Sequence, residues 1–180
     1  MEKVRERLLK STTTLDNAQI PYAVAGGNAV ASWVGQVDEE AIRNTKDVDV
    51  LLRRGDLEQA KQAMAAAGFV YRHVAGMDLF LDNAGANARS AVHLVFAGEK
   101  VRPHEAMPNP DTSDSVRAPD GFQVLSLQAL VQIKLTAYRD KDRTHLRDMI
   151  DVGLIDQSWT ARFIPELAAR LQALLDDPDG

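Results

Sequence analysis

Two aspartates one residue apart, Asp47 and Asp49, are the strongest candidates for chemistry in this sequence. They belong to a largely apolar run, residues 47–53, that predicts a β-strand. Because successive side chains of a strand point to opposite faces, both carboxylates lie on one face while Val48 and Val50 point into a core. Two neighbouring carboxylates repel each other unless a cation or water separates them. Since Mg²⁺ is held in proteins by one or two carboxylates together with substrate phosphates, the pair predicts a metal–nucleotide site.

A pair of glycines, Gly26 and Gly27, separates a predicted strand over residues 22–25 from a helix that Asn28 is expected to cap. Backbone N–H groups can approach a phosphate closely at such a turn, and the start of a helix adds a partial positive charge. Either motif is common by itself in turns and at strand ends. In this order and context, the two motifs together predict a phosphate cradle followed by a clamp for a divalent metal.

With these residues the sequence resembles the nucleotidyltransferase superfamily of polymerase-beta-like fold, and within it the minimal and the abortive-infection toxin-type nucleotidyltransferases. The resemblance spans residues 24 to 151 and rests on Gly26-Gly27, Arg43-x-Thr45-x-Asp47-x-Asp49, Lys134-x4-Arg139 and Arg147-Asp148-x-x-Asp151. It implies an α+β fold, a small mixed sheet flanked by helices, with the aspartates on one strand. It also implies transfer of a nucleoside monophosphate from a nucleoside triphosphate to a hydroxyl acceptor, which is an RNA, a protein or a small molecule.

The resemblance also implies a role for each matching position. Asp47 and Asp49 hold Mg²⁺ or Mn²⁺, and Gly26 and Gly27 face the triphosphate. Lys134 contacts phosphates from the first C-terminal helix. The predicted site is completed by Asn28, Arg43 and Thr45 on the nucleotide side and by Asp148 on the helical side.

The sequence departs from the family pattern most clearly at His93, in the predicted strand over residues 91–96, where a third carboxylate usually stands. An imidazole is a poor ligand for a hard cation such as Mg²⁺. It has a pKa near neutrality and can serve as a general base toward an acceptor hydroxyl. The same substitution is also typical of a degenerate site or of an ordinary histidine at a sheet end. A further departure is the 20-residue spacing from Gly27 to Asp47, which is nearer to the toxin type.

The charged residues of the C-terminal helices permit a simpler interpretation as well. Lys134 lies in a mainly apolar helix and its ammonium group can extend to solvent along that helix. Asp148 and Asp151 share a helix face, where nearby arginines would pair with them on the surface. His145 is predicted to be exposed.

The composition sets the remaining limits. The 180 residues include 21 basic and 26 acidic side chains, a net charge of −5, which argues against nucleic-acid binding through bulk charge. The absence of cysteine excludes disulfides, thiolate metal sites and cysteine nucleophiles. No secretory signal and no apolar run of membrane-spanning length is present, so a cytoplasmic protein with no membrane partner is expected.

The chain is expected to form one unit, a nucleotidyltransferase-like core over residues 1–125 with a helical region over residues 126–180 packed on it. The rival to an enzyme is a catalytically degenerate relative that acts as a nucleotide-binding or toxin–antitoxin-type regulatory module, with an antitoxin as partner. A phosphohydrolase using Asp-x-Asp is a weaker alternative, because the aspartyl-nucleophile enzymes resemble a different fold.

Overall fold

The strand that contains Asp49, and that Asp47 directly precedes, is the central one of a seven-stranded mixed sheet in a computed structural model, which describes residues 2–88 and 90–180. The strands are β1 (Tyr22–Ala25), β2 (Val48–Leu52), β3 (Val70–Val74), β4 (Met77–Leu81), β5 (Ala91–Phe96), β6 (Ser115–Arg117) and β7 (Gln123–Leu125). The α-helices are α1 (Glu2–Asn17), α2 (Gly26–Val34), α3 (Leu57–Ala66), α4 (Leu127–Ala137), α5 (Asp140–Asp151) and α6 (Pro165–Asp176). The α+β fold and the mixed sheet flanked by helices that the sequence predicted are confirmed.

The sheet has the strand order β3-β4-β5-β2-β1-β7-β6. Strand β2 runs antiparallel to β1 and parallel to β5, and α3 with the β3–β4 hairpin forms the crossover that a parallel pair requires. In the register of these strands Ala25 lies opposite Asp49, and Asp49 lies opposite His93. The end of β1, the second aspartate and the histidine therefore form one row across three strands.

Strand β2 is buried in the hydrophobic core. Val48, Val50 and Leu52 are fully buried, as alternation on the strand predicts, and they belong to one apolar cluster. Helices α1 and α3 pack against each other and contribute Leu8, Leu15, Ala60 and Met64 at helical spacing, and α4, α5 and α6 add Leu130, Leu146 and Leu171 to the same cluster. The C-terminal helices are thus fixed relative to the aspartate strand by shared packing.

The sequence predicts that Ser126 caps a helix to about residue 138 and that two more helices cover about 142–154 and 160–175. Ser126 does cap α4, since its hydroxyl accepts a hydrogen bond from the backbone N–H of Ala129 at 3.3 Å. Helix α5 begins two residues before the expected start at residue 142. Helix α6 begins at Pro165 rather than near residue 160, because residues 157–162 form a 3₁₀ turn and a proline is favoured in the first helical turn. The irregular connection over residues 102–120 contains the short strand β6.

No helix among residues 2–88 and 90–180 is long and apolar enough to cross a membrane.

Candidate functional site

A cavity of about 470 Å³ brings the sheet residues and the C-terminal helices together. The sheet contributes Ala25, Gly26, Asp47, Asp49 and His93 to its lining, and the helical part contributes Lys134, Arg139 and Asp142. Residues from the two ends of the predicted site, more than 80 positions apart in sequence, therefore face the same space. The cavity also extends along β5 toward Arg54 and Glu99, which form an ion pair at 2.8 Å.

The first aspartate carries an unsatisfied oxygen. Oδ1 of Asp47 is buried and has no hydrogen-bond partner among the described residues. Leaving a buried acceptor without a partner costs about 1–3 kcal/mol, and more for a charged group. The backbone of Asp47 is held in place, because Nδ2 of Asn28 donates a hydrogen bond to the Asp47 carbonyl oxygen at 2.7 Å. The chain thus fixes a carboxylate in a position where its own side chains do not satisfy it.

A divalent cation fits this pair of carboxylates. Asp47, which carries the unsatisfied oxygen, lines the same cavity as Asp49, and hard cations such as Mg²⁺ take carboxylate oxygens as ligands. Among residues 2–88 and 90–180 no group of three or more histidine, aspartate or glutamate side chains is placed to hold a metal alone. Mg²⁺ bound with a nucleotide typically has one or two carboxylate ligands, and phosphate oxygens and water fill its other coordination positions.

The glycine pair lets two side chains, those of Asp49 and Thr45, approach the backbone at the start of α2 closely. Gly26 has φ of +61°, and a Cβ placed on it would lie 1.8 Å from Oδ2 of Asp49. A Cβ on Gly27 would lie 2.9 Å from both Cβ and Oγ1 of Thr45. The first glycine is therefore required twice, for its left-handed backbone and for the space that the aspartate occupies.

The prediction that Asn28 caps the helix after β1 is wrong. Helix α2 already begins at Gly26, Ala25 occupies the N-cap position, and no side chain caps this end. Asn28 lies inside the helix, where its amide bonds the Asp47 backbone. Its residue type is that of a cap, but its contact is tertiary, because the helix begins two residues earlier, at Gly26.

His93 lies beside Asp49 in the parallel ladder, with Leu79 on its other side. Its Nε2 is 2.9 Å from the carbonyl oxygen of Ala88. A carbonyl oxygen only accepts hydrogen bonds, so in the neutral ring Nε2 carries the proton and Nδ1 keeps its lone pair. The strand position expected for His93 next to the aspartates is therefore observed, and its role stays a prediction.

A buried ion-pair network faces the aspartates from the C-terminal helices. Nζ of Lys134 is 3.0 Å from Oδ1 of Asp142, and Nε of Arg139 is 2.8 Å from Oδ2 of the same carboxylate. Lys134 is only 5% exposed, so its ammonium group does not extend to solvent as the simpler interpretation allowed. Burial lowers the pKa of Lys134, and the charge of Asp142 acts in the opposite direction.

Sequence reasoning missed Asp142. Burial raises the pKa of its carboxyl group, but the hydrogen bond from Arg139 and the charge of Lys134 outweigh burial and hold that pKa below its ordinary value. The local signal was the spacing, because Asp142 lies three residues after Arg139 and an acid at that place in a first helical turn often bonds the backbone N–H before the helix. In the structure its side chain accepts that hydrogen bond from the Arg139 N–H at 3.2 Å. The partnership with Lys134 on the preceding helix could be seen only in three dimensions.

Two predicted site residues, Asp148 and Arg43, lie elsewhere. They form an ion pair at 2.6 Å and line a separate surface cleft together with Asp151. The structure does not place either of them among the residues that line the cavity. Thr45 contacts the Asp47 backbone carbonyl at 3.4 Å and supports the strand rather than facing the cavity.

The expected exposure of His145 is wrong. It is buried on α5, and its Nδ1 has no hydrogen-bond partner in the part of the chain that the structure describes. Burial lowers the pKa of His145 to about 4, and the positive charges of Lys134 and Lys141 act in the same direction.

Comparisons with known proteins agree with this architecture. The chain matches no known protein-family profile and no curated protein sequence. A solution structure of the antibiotic-resistance factor ANT(2″)-Ia is similar at a TM-score of 0.58 and 12% identity, covering 97% of this chain and 92% of that one. The crystal structure of ANT(2″)-Ia in complex with adenylyl-2″-tobramycin is similar at a TM-score of 0.59 and 14% identity, covering 96% of this chain and 98% of that one.

A third solved structure is an antigenic nucleotidyltransferase-like protein from Paracoccidioides brasiliensis, with a TM-score of 0.58, 16% identity and coverage of 99% of this chain and 90% of that one. At such identities the likeness concerns the fold, and the finer resemblance to toxin-type members stays a prediction. The resemblance seen in the motifs is thereby confirmed at the level of architecture: this chain has the nucleotidyltransferase fold.

Proposed function

We propose that this protein is a metal-dependent nucleotidyltransferase, which transfers a nucleoside monophosphate from a nucleoside triphosphate to a hydroxyl acceptor. The observation that carries the proposal is the buried Oδ1 of Asp47, which has no partner among the described residues and belongs to a side chain that lines one cavity with Asp49, Lys134 and Arg139. Two carboxylates and two cationic side chains around one cavity suit a ligand that contains both a divalent cation and phosphates.

In this proposal Asp47 and Asp49 hold Mg²⁺ or Mn²⁺, which when bound neutralises charge on the phosphates and orients them. Gly26 gives the Asp49 carboxylate the space that it needs at the end of β1, and Lys134 attracts the phosphates from α4. The acceptor oxygen bonds to the α-phosphorus, the bond from that phosphorus to the bridging oxygen breaks, and pyrophosphate leaves. Nδ1 of His93, the nitrogen with the free lone pair, accepts the hydroxyl proton.

The acceptor class stays open among RNA, protein and small molecules. The ANT(2″)-Ia structure with adenylyl-2″-tobramycin makes a small polyhydroxylated molecule the first class to test. A net charge of −5 gives no support to extended contact with RNA through bulk charge, although local arginines and a bound cation would compensate near the site. A cytoplasmic location is part of the same proposal.

The second candidate is a catalytically degenerate module that binds nucleotide and acts with an antitoxin-type partner. The observation in its favour is His93, an imidazole beside Asp49 where a third acid would be expected. This candidate predicts metal-dependent nucleotide binding without transfer.

The deciding experiment incubates the protein with each α-labelled nucleoside triphosphate, Mg²⁺ or Mn²⁺, and separate pools of small hydroxylated molecules, RNA and protein. The Asp47→Ala/Asp49→Ala variant is the negative control, and Asp140→Asn, an exposed acid outside the cavity, is the matched control. Labelled product with the native protein and Asp140→Asn but not with the double variant supports the enzyme. Binding without product supports the degenerate module, and neither binding nor product refutes both.

A further inference from the structure

Arg139 and Asp142 take no part in the chemistry described so far, yet both line the cavity. Arg139 stands at the start of α5, with its side chain 62% exposed, whereas the side chain of Asp142 is 2% exposed. One polar edge of the guanidinium is fixed by the bond from Nε to Asp142. Neither terminal nitrogen of Arg139 donates a hydrogen bond within residues 2–88 and 90–180. The fork of this arginine is thus oriented at one end and free at the other.

The free end of Arg139 suits a phosphate. A guanidinium presents several N–H donors in a planar fork that matches two phosphate oxygens at once, and it keeps its charge at any physiological pH. Lys134, bonded to the other oxygen of the same carboxylate, adds a second positive charge from α4. The side chains of Lys134, Arg139 and Asp142 together carry a net charge of +1 in the lining of the cavity that the two aspartates also line.

Asp142 explains why both cations remain where they are. A lysine as buried as Lys134 loses its proton readily unless an opposite charge is close. Asp142 supplies that charge at 3.0 Å and, through its second oxygen, restrains the Arg139 side chain and accepts the N–H at the start of α5. One carboxylate therefore fixes two cations from two helices on the same side of the cavity.

We infer that Arg139, together with Lys134, binds the terminal phosphates of the nucleoside triphosphate, and that Asp142 is the positioning residue that holds both. The inference rests on the proposed function and names a part of its site. It assigns the α-phosphate to the aspartate side of the cavity and the leaving pyrophosphate to the wall formed by α4 and α5.

The test measures binding by calorimetry in the presence of Mg²⁺. Each of the four ribonucleoside triphosphates is titrated first, and the best-bound one is then compared with its monophosphate. Arg139→Gln is expected to weaken triphosphate binding at least about tenfold, the loss typical of a hydrogen bond to a charged group, while changing monophosphate binding less than about twofold. Arg143→Gln is the matched control, because this arginine is on the same helix, pairs with Asp140 and lies outside the cavity lining.

Asp142→Asn separates positioning from structure. It removes the charge but keeps an oxygen that can accept the Arg139 backbone N–H, so the start of α5 is retained. Triphosphate binding should weaken several-fold in the native background and clearly less in the Arg139→Gln background, because a residue that acts through another is not additive with it. Thermal unfolding of each variant checks that the fold is intact, and Asp140→Asn is the matched acid control.

Each outcome bears on the proposal. Equal triphosphate affinity in Arg139→Gln and native protein refutes the inference and leaves nucleotidyl transfer standing. Equal losses for triphosphate and monophosphate refute the assignment to the terminal phosphates. Tighter binding by Asp142→Asn shows that its charge repels phosphates and refutes the positioning role. Failure of the native protein to bind any of the four triphosphates refutes the inference and the proposed function together.

Discussion

Replacing Gly26 by alanine is the perturbation whose effect follows most directly from the geometry. The backbone there has φ of +61°, and a left-handed conformation costs a residue with a Cβ about 1–2 kcal/mol. The added methyl would also lie 1.8 Å from Oδ2 and 2.6 Å from Cγ of Asp49, so the aspartate or the backbone must move. Overpacking of this kind typically costs a further amount of about 1–3 kcal/mol.

We therefore expect Gly26→Ala to lower the free energy of unfolding by about 2–5 kcal/mol. Gly153→Ala is the matched control, since Gly153 has φ of +77° but no atom within 4 Å of the position of its Cβ. It should cost only the backbone part, about 1–2 kcal/mol. The difference between the two variants, measured by urea denaturation, isolates the contact with Asp49.

Gly26→Ala should also reduce the rate of nucleotidyl transfer far more than its lower stability alone would. Displacing a reacting or metal-binding group by about 1 Å can cost about a hundredfold in rate. In an Asp49→Ala background two of the three closest atoms are gone, so the stability cost of Gly26→Ala should shrink. Equal destabilisation by Gly26→Ala and Gly153→Ala, or native transfer rates in Gly26→Ala, would refute the reasoning.

Four further outcomes are expected. Asp47→Asn should abolish metal-dependent nucleotide binding while leaving the metal-free protein at least as stable in urea, because an unsatisfied buried charge is removed; a clear loss of stability would contradict this. Asn28→Ala should cost about 0.5–1.5 kcal/mol in the same assay through the lost bond to the strand, and weaken transfer. Asp148→Asn should change the transfer rate less than about twofold, because Asp148 bonds Arg43 and is not among the residues that line the cavity, and a tenfold loss would place it in the site. The pKa of His145 is about 4 in the folded protein and 6.5 in the unfolded chain, so the unfolded chain binds the proton first as the pH falls. The free energy of unfolding should therefore decrease by about 3 kcal/mol between pH 6.5 and pH 4. His145→Gln should flatten that pH dependence in urea titrations at several pH values.

The sequence could predict what depends on neighbours along the chain. The alternation of Asp47, Val48 and Asp49 put two carboxylates on one face of a buried strand, and the structure has that strand at the centre of its sheet. Ser126 marked the start of α4, and the glycine pair marked the junction between β1 and α2. These signals are local, because side-chain direction on a strand and the capping of a helix are set within a few residues.

Tertiary structure decided which distant residues meet. The register of β2 with β5 puts His93 beside Asp49, and it depends on sheet pairing across 44 positions rather than on any local pattern. Asp142 and Asp148 lie on one helix and only Asp148 matches the family motif, yet Asp142 bonds Lys134 in the cavity and Asp148 bonds Arg43 outside it. His145 looked like a surface residue, and its burial follows from how α5 packs. The sequence by itself thus predicted which groups could hold a metal and phosphates. Only the packing of α4 and α5 against the sheet decided which of the charged residues face them, because six residues along a helix amount to less than two turns and their side chains leave it in different directions.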